Sequence, residues 1–315
     1  MRQIVHDELP IVKALLLDTL KVSEYRSIER LGGMTNHTYK VELWNGDMYV
    51  VRIPGAGTEK LIDRDAEKIS ALLACRLGID AQIISFGEGG EKVSAYIQGA
   101  ITLKEDDFSN PEMLEKVAAV FRKLHDSGVD TGVSFDFLDM VSRYESNIHA
   151  AGLKLFDDYE EIKTQIIRLK AYIDKHAIYR CVPCHNDPLC ENWVMDSNGK
   201  LHLIDWEYAG MNDPMWDLAD FAVEAVLLSE QENILLQCYF GRKPERWEAL
   251  SFFANKLYLD FLWSLWGLAR APYEGESMTE YGEQRYGRLK RNLSVFLKEF
   301  TDMELKTISI LHERN

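Results

Sequence analysis

Three polar residues in the middle of the chain, His185, Asp187 and Asn192, stand in the pattern H-x-D-x-x-x-x-N. An apolar run follows, turns at Ser197-Asn198-Gly199 and returns through Leu201-His-Leu-Ile to Asp205. A hairpin of this size brings Asn192 and Asp205 to one mouth, with Asp187 on the loop before them. An Asn and an Asp together can hold Mg²⁺ against phosphate oxygens, and a loop Asp can orient a hydroxyl and take its proton. That is the chemistry of phosphoryl transfer. Asp-Pro and Ser-Asn-Gly also mark plain turns, yet three polar residues at these spacings suit a buried hairpin poorly. His185 by itself reads better as a brace for this catalytic loop than as a group that touches substrate.

The front of the chain offers the complementary groups. Leu31-Gly32-Gly33-Met-Thr35-Asn36 lies between two strand-like runs. A glycine turn there lets backbone N–H groups approach phosphates, with Thr35 or Asn36 as further donors. Adjacent glycines alone are common hairpin closers. Arg52 strengthens the reading, because Val50-Val51-Arg52-Ile53 ends a strand with a cation among apolar neighbours. Glu67 lies on the next helical stretch, suited to pairing with it. An exposed Arg–Glu pair is usually a weak bridge. Here the order of glycine turn, strand cation, helix acid and H-x-D loop outweighs the plainer reading of each feature taken alone.

A third group is aromatic. Trp263 and Trp266 are three apart, so on a helix they share a face. Tryptophan faces attract quaternary ammonium ions, and nearby carboxylates add charge. Core packing is the better reading for either ring alone; the pair in an acidic chain tilts toward a cation cage. Cys181 and Cys184 form a C-x-x-C, but a structural zinc needs four ligands and no second pair exists. Buried small thiols are the expected state of these cysteines.

The elements that must position these groups divide into two textures. A helix over Leu9–Leu20 precedes strand-like runs at 27–31, 37–43, 48–53, 83–86 and 93–97, punctuated by Asn45-Gly46-Asp47 and Gly87–Gly90. A helical pattern over 59–77 interrupts them and stops at Gly78. Beyond residue 100 the periodicity predicts helices at 111–125, 159–176, 214–228, 245–268 and 281–300, around a β-like island at 179–205. The expected fold class is α+β: a small antiparallel sheet lobe over 1–98 that binds nucleotide, and a larger helical lobe over 99–315 with the catalytic loop and the acceptor pocket.

Composition sets the partners. With 315 residues, 46% apolar and 28% charged, the chain is an ordinary globular mixture, not a fibrous or disordered one. Lys+Arg is 36 against 51 Asp+Glu, a formal charge of −15 that repels nucleic acid and anionic lipid. Met1–Asp7 is polar, and the apolar stretch 252–272 carries Asn255, Lys256, Asp260 and Arg270, so no integral membrane segment is expected. A reduced, cytoplasmic protein follows. Oligomeric state is not written in these features.

These residues carry a resemblance. Leu31–Tyr39, Tyr49–Glu67, His185–Asn192, Leu203–Glu224 and Phe261–Trp266 resemble the choline/ethanolamine kinase family, within the aminoglycoside-phosphotransferase-like kinases, and look closest to its bacterial LicA-type choline kinases. The resemblance implies a bilobal, protein-kinase-like fold, with ATP and Mg as cofactors. It implies Asp187 as catalytic base, Asn192 and Asp205 as metal ligands, Arg52 on the nucleotide phosphates held by Glu67, and Gly32, Gly33, Thr35 and Asn36 as the phosphate loop. The adenine would meet the segment at Tyr96 and Ile97. The acceptor would sit with Trp263 and Trp266, joined by Glu207, Glu224 and Tyr281. Two departures stand out: Arg52 replaces the Lys of many relatives, and the turn has only two adjacent glycines. The implied activity transfers the ATP γ-phosphoryl group to the choline hydroxyl. Its rivals are an ethanolamine or aminoglycoside kinase of the same fold, and a non-catalytic pseudokinase, against which intact Asp187, Asn192 and Asp205 argue.

Overall fold

Period-two alternation and glycine turns build the opening sheet. In the computed structural model, which describes residues 8–31, 36–55, 57–58, 62–176 and 180–312, with side chains as far as Lys298, helix α1 (Leu9–Leu20) comes first. Strands β1 (Ser27–Arg30), β2 (Asn36–Glu42) and β3 (Met48–Pro54) follow, then helix α2 (Arg64–Arg76) and strands β4 (Ile83–Phe86) and β5 (Lys92–Ala95). Strand β6 (Ile101–Thr102) precedes helices α3 (Pro111–His125), α4 (Phe137–Ala150) and α5 (Tyr159–His176). Next come β7 (Val182–Cys184), β8 (Trp193–Met195), β9 (Leu201–Leu203) and β10 (Gly210–Asn212). Helices α6 (Pro214–Glu224), α7 (Ser229–Phe240), α8 (Arg246–Glu274) and α9 (Glu276–His312) complete the order. The class is the expected α+β.

The first sheet runs β1-β2-β3-β5-β4 with antiparallel neighbours throughout. Gly46, at φ 90°, closes the β2–β3 hairpin, where the Leu43 N–H donates to the Asp47 carbonyl at 2.8 Å. Tyr39, Val41, Val51 and Val93 point inward onto Val12 and Leu16 of α1. Burying each large apolar side chain contributes roughly 1.5–3 kcal/mol. Helix α2 starts later than the periodicity suggested. The Asp63 carboxylate accepts from the N–H groups of Asp65 and Ala66, and so caps the helix there. Residues 59–61 lie outside the described residues.

Four of these elements, β6, α4, β10 and α7, were not expected. Strand β6 pairs with β8 and is too short to leave a period. Helix α4 is capped by Asp136, which accepts from the N–H groups of Leu138 and Asp139. Helix α6 stops at Glu224, because Val226 takes a left-handed φ of 50°, and α7 begins at Ser229 as a separate helix.

Two compact units emerge, Met1–Phe135 with Arg180–Glu245, and Asp136–Tyr179 with Arg246–Asn315. The expected cut after residue 98 marks the change from sheet to mostly helix and falls inside the first unit. In that unit the β8–β9 hairpin rests on Phe108, Phe121 and Phe221, whose ring centroids lie 5.4–6.4 Å from Trp193. In the second unit, helices α4, α5 and α9 pack on α8, with Tyr159 stacked on Phe261 at 5.5 Å. Helices α8 and α9 touch backbone to backbone, since a Cβ at Gly282 would stand 2.7 Å from the Ser264 carbonyl oxygen. Among the described residues no helix is long and apolar enough to cross a membrane.

Candidate active site

The H-x-D loop leaves β7 and enters the β8–β9 hairpin. The register Trp193↔Leu203 puts Asn192 and Ile204 opposite each other, and the Ile204 N–H donates to the Asn192 carbonyl at 2.9 Å. Asn192 and Asp205 therefore flank the open end of one hairpin, as its length suggested. The Asn192 Nδ2 donates to the Asp187 carbonyl at 2.9 Å, which leaves Oδ1 as its outward atom. Asp205 adopts φ 67° and Asn186 φ 65°, so two non-glycine residues flanking this chemistry hold left-handed backbones. Such conformations persist where surrounding bonds over-determine them. For Asn186 those bonds are visible: its N–H donates to Asp217 Oδ1 at 2.7 Å, its Nδ2 to the Tyr208 carbonyl at 3.0 Å, and its Oδ1 accepts from Asn212 at 2.9 Å.

Asp217, fully buried on α6, is the loop's anchor. Its Oδ2 accepts from the His185 N–H at 2.8 Å and from His125 Nε2 at 3.0 Å. The Tyr239 hydroxyl faces His125 Nδ1 at 2.9 Å, closing a chain from the loop to α7. Asp217 lies in the Leu203–Glu224 stretch that carries the resemblance, which assigns it no role. Its signal was a carboxylate inside the otherwise apolar run Pro-Met-Trp-Asp-Leu-Ala. His185 is fully buried, its Nε2 on the Ile204 carbonyl at 3.0 Å and its Nδ1 accepting the Asp187 N–H at 3.3 Å. Burial holds its pKa below the ordinary value, so the ring is neutral. These two bonds tie the ring to the loop and to the end of the hairpin.

The strand cation and helix acid also meet. Arg52 of β3 forms a buried ion pair with Glu67 of α2; its Nη1 donates to Asp205 Oδ1 at 3.2 Å and its Nη2 to the Gly90 carbonyl at 2.8 Å. Burial works against the Arg52 charge, and Glu67 with Asp205 more than offsets it, so the guanidinium is held firmly protonated. Burial likewise pushes Glu67 up, and Arg52 pulls it further down to a net value below the ordinary one. Two participants were not foreseen. Arg64 donates to Glu67 at 2.6 Å and to Thr58 at 2.9 Å, and Gly90, at φ 93°, lies under the Arg64 stem, where a Cβ would meet Cδ at 2.6 Å.

The expected acceptor residues fall in both compact units. Trp263 and Trp266 of α8 meet edge to face at 6.1 Å, and Trp266 meets Tyr281 of α9 at 5.8 Å. In the first unit the Glu207 Oε2 accepts from Asn36 Nδ2 at 2.9 Å and from Arg64 at 3.4 Å. Burial and the neighbouring Asp205 charge push the Glu207 carboxyl up to about 7. Glu224 ends α6, half-buried, and its carbonyl accepts from the Cys190 thiol at 3.5 Å. Tyr96 and Ile97 follow β5, with the Lys40 ammonium 4.3 Å over the Tyr96 ring. Gly32, Gly33 and Thr35 lie outside the described residues. All five cysteines are free. Cys184 is a buried thiol, pushed well up by that burial, but the expectation of burial fails for Cys181, which precedes β7 at the surface.

Likenesses to known proteins extend this geometry. Residues 28–260 match the model of the choline/ethanolamine kinase family. Protein LicA of Haemophilus influenzae is 28% identical over 263 residues, covering 81% of this chain and 76% of that protein. The crystal structure of choline kinase LicA from Streptococcus pneumoniae superposes with a TM-score of 0.79 at 32% identity, covering 91% of this chain and 98% of that one. The GDP complex of aminoglycoside 2'-phosphotransferase-IIIa shares the fold, with a TM-score of 0.64 at 17% identity over 90% and 98% of the two chains. With its family match spanning both the Arg52–Glu67 pair and the Asp187 loop, this chain belongs to the choline/ethanolamine kinases, ATP-dependent phosphotransferases with an alcohol acceptor.

Proposed function

We propose that this chain is a choline kinase that moves the γ-phosphoryl group of ATP to the choline hydroxyl, giving phosphocholine in the cytoplasm. The observation that carries the reading is the hairpin mouth. Asn192 Oδ1 and Asp205 Oδ2 make no hydrogen bond among the described residues, although the hairpin holds both residues at its open end. Two such oxygens, one amide and one carboxylate, suit a hard cation such as Mg²⁺. When bound, the ion supplies charge neutralisation at the phosphate oxygens.

The chain's own groups do the rest. Asp187 orients the acceptor hydroxyl and takes its proton, and the buried His185 keeps Asp187 in place by accepting its N–H. Arg52, held by Glu67, is a fixed cation for nucleotide phosphates, with Gly32, Gly33, Thr35 and Asn36 as the loop over them and Tyr96 and Ile97 at the base. The hydrogen bond from Asn36 supports a role for Glu207 beside that loop. Trp263, Trp266 and Tyr281 offer aromatic surface to a trimethylammonium group. We assign 1–98 as the nucleotide lobe and 99–315 as the lobe of the catalytic loop and acceptor pocket. Choline is favoured over ethanolamine because an ammonium without methyl groups gains less from aromatic faces.

The test is ADP release from Mg·ATP in parallel tubes holding choline, ethanolamine, kanamycin or no acceptor. Choline-dependent release with phosphocholine in the product is expected. Release with another acceptor alone removes the choline assignment; none with any, despite ATP binding, marks a pseudokinase. Asp187→Ala is expected to abolish release while retaining ATP binding, and normal turnover in that variant would overturn the base assignment.

A further inference from the structure

Behind the aromatic set lies a polar arrangement that core packing does not require. Arg285, one helical turn after Tyr281 on α9, is only 6% exposed, and its guanidinium carbon stands 5.0 Å from the centroid of the Tyr281 ring. Its Nη1 donates to Asp260 Oδ1 at 3.3 Å. Asp260 is 1% exposed on α8, one turn before Trp263, and also accepts from Arg288, Nε to Oδ2 at 2.8 Å and Nη2 to Oδ1 at 2.5 Å. Burying a guanidinium and a carboxylate costs desolvation energy that a pair of apolar side chains would avoid. The arrangement therefore needs a reason beyond filling space. A guanidinium is planar and stacks on aromatic faces, and its fork fixes its direction when a carboxylate holds one side. Here the carboxylate comes from α8 and the ring from α9, so the stack ties Tyr281 to the helix that carries both tryptophans.

We propose that Arg285, anchored on Asp260, is a positioning residue for the acceptor: it covers one face of Tyr281 and holds that ring edge to face against Trp266. This rests on the reading of Trp263, Trp266 and Tyr281 as the acceptor's cation site. The occupied face is closed to any second cation, so Tyr281 contributes only its remaining surface, and the Asp260 carboxylate, shared with Arg288, offsets part of the guanidinium charge. The selectivity consequence follows from acceptor chemistry. A trimethylammonium group has no N–H donors and depends on aromatic surfaces held in place. A primary ammonium makes hydrogen bonds to carboxylates and water, and depends on them less. Loosening Tyr281 therefore costs choline more than ethanolamine.

The experiment measures kcat and KM for choline, ethanolamine and ATP in the intact enzyme and in Arg285→Met, Arg285→Lys and Trp266→Ala, with a thermal melt of each. Arg285→Met is expected to raise the choline KM about tenfold, leave kcat and the ATP KM within about twofold, and lower the choline-to-ethanolamine ratio of kcat/KM. Arg285→Lys keeps a charge beside Asp260 and loses the planar stack. It is expected to recover the melt while the choline KM stays raised, and it carries the test if Arg285→Met does not fold. An unchanged choline KM in Arg285→Lys, with a raised one in Trp266→Ala, overturns the positioning role and leaves the cage. Equal losses for both acceptors that track the melt also overturn it, in favour of a purely structural pair. An unchanged choline KM in Trp266→Ala removes the cage itself.

Discussion

Asp217→Asn tests whether a buried carboxylate on α6 holds the catalytic loop. The change keeps the side chain's shape and removes its charge and one acceptor oxygen. In the native site Oδ2 takes the His185 N–H at 2.8 Å and His125 Nε2 at 3.0 Å, and Oδ1 takes the Asn186 N–H at 2.7 Å. If the amide turns its NH₂ toward Asn186, that N–H faces a donor; if it turns the other way, His185 and His125 both do. The first costs less. Hydrogen bonds to a charged group contribute about 1.5–3 kcal/mol against about 0.5–1.5 for neutral ones, and a buried N–H left without an acceptor costs about 1–3 kcal/mol. Two weakened bonds and one orphan give a loss of about 3–5 kcal/mol, above the range of most single substitutions. At about 2 °C per kcal/mol for a chain this long, Tm should fall by roughly 6–10 °C. Asn186 would relax from its left-handed backbone, and Asp187 beside it would lose its fixed position. Because misplacement by an ångström can cost on the order of 100-fold, kcat should fall well beyond the change in ATP KM. Calorimetry with choline-dependent ADP release reads both quantities. Native Tm and native kcat together would refute the anchoring argument; a lowered Tm with native kcat would confine Asp217 to stability.

Two further perturbations probe the loop and the helix crossing. His185, held below its ordinary pKa near 6.5 by burial, takes up a proton more readily in the unfolded chain. Its contribution to stability is thus full above pH 6.5 and declines on acidification, at up to about 1.4 kcal/mol per pH unit. His185→Gln removes this slope, so between pH 7.5 and 5.5 Tm should fall less in the variant than in the native protein, and parallel curves would contradict the assignment. Gly282→Ala sets helix propensity, worth about 1 kcal/mol in favour of Ala, against a Cβ only 2.7 Å from the Ser264 carbonyl oxygen. Backbone cannot give way there without parting α8 from α9, at about 1–3 kcal/mol. Tm should therefore drop and the near-ultraviolet signal of Trp266 change; a raised Tm would show the crossing is looser than drawn.

Local signals were legible because their causes are local. Alternation over β2 and β3, the Asn45-Gly46 turn and the Asp63 cap act within a few residues, and so does the spacing that places Asn192 and Asp205 on one hairpin. The family resemblance lay in such contiguous stretches. Other partnerships join residues far apart in sequence: Asp217 with His185 across 32 positions, Arg64 with Glu207 across 143, Arg52 with Asp205 across 153. Glu207 shows the difference. The Asp205-Trp-Glu207 segment marks it as functional, but only packing sets it beside Asn36 and Arg64. Gly90 reads as hairpin punctuation until the Arg64 stem is seen lying across it, and Arg285 is one more helical cation until Tyr281 and Asp260 flank it. Periodicity and turn chemistry determine which elements form and which faces they bury. Which side chains meet depends on the packing of whole elements against one another, and that is settled only when the tertiary structure closes.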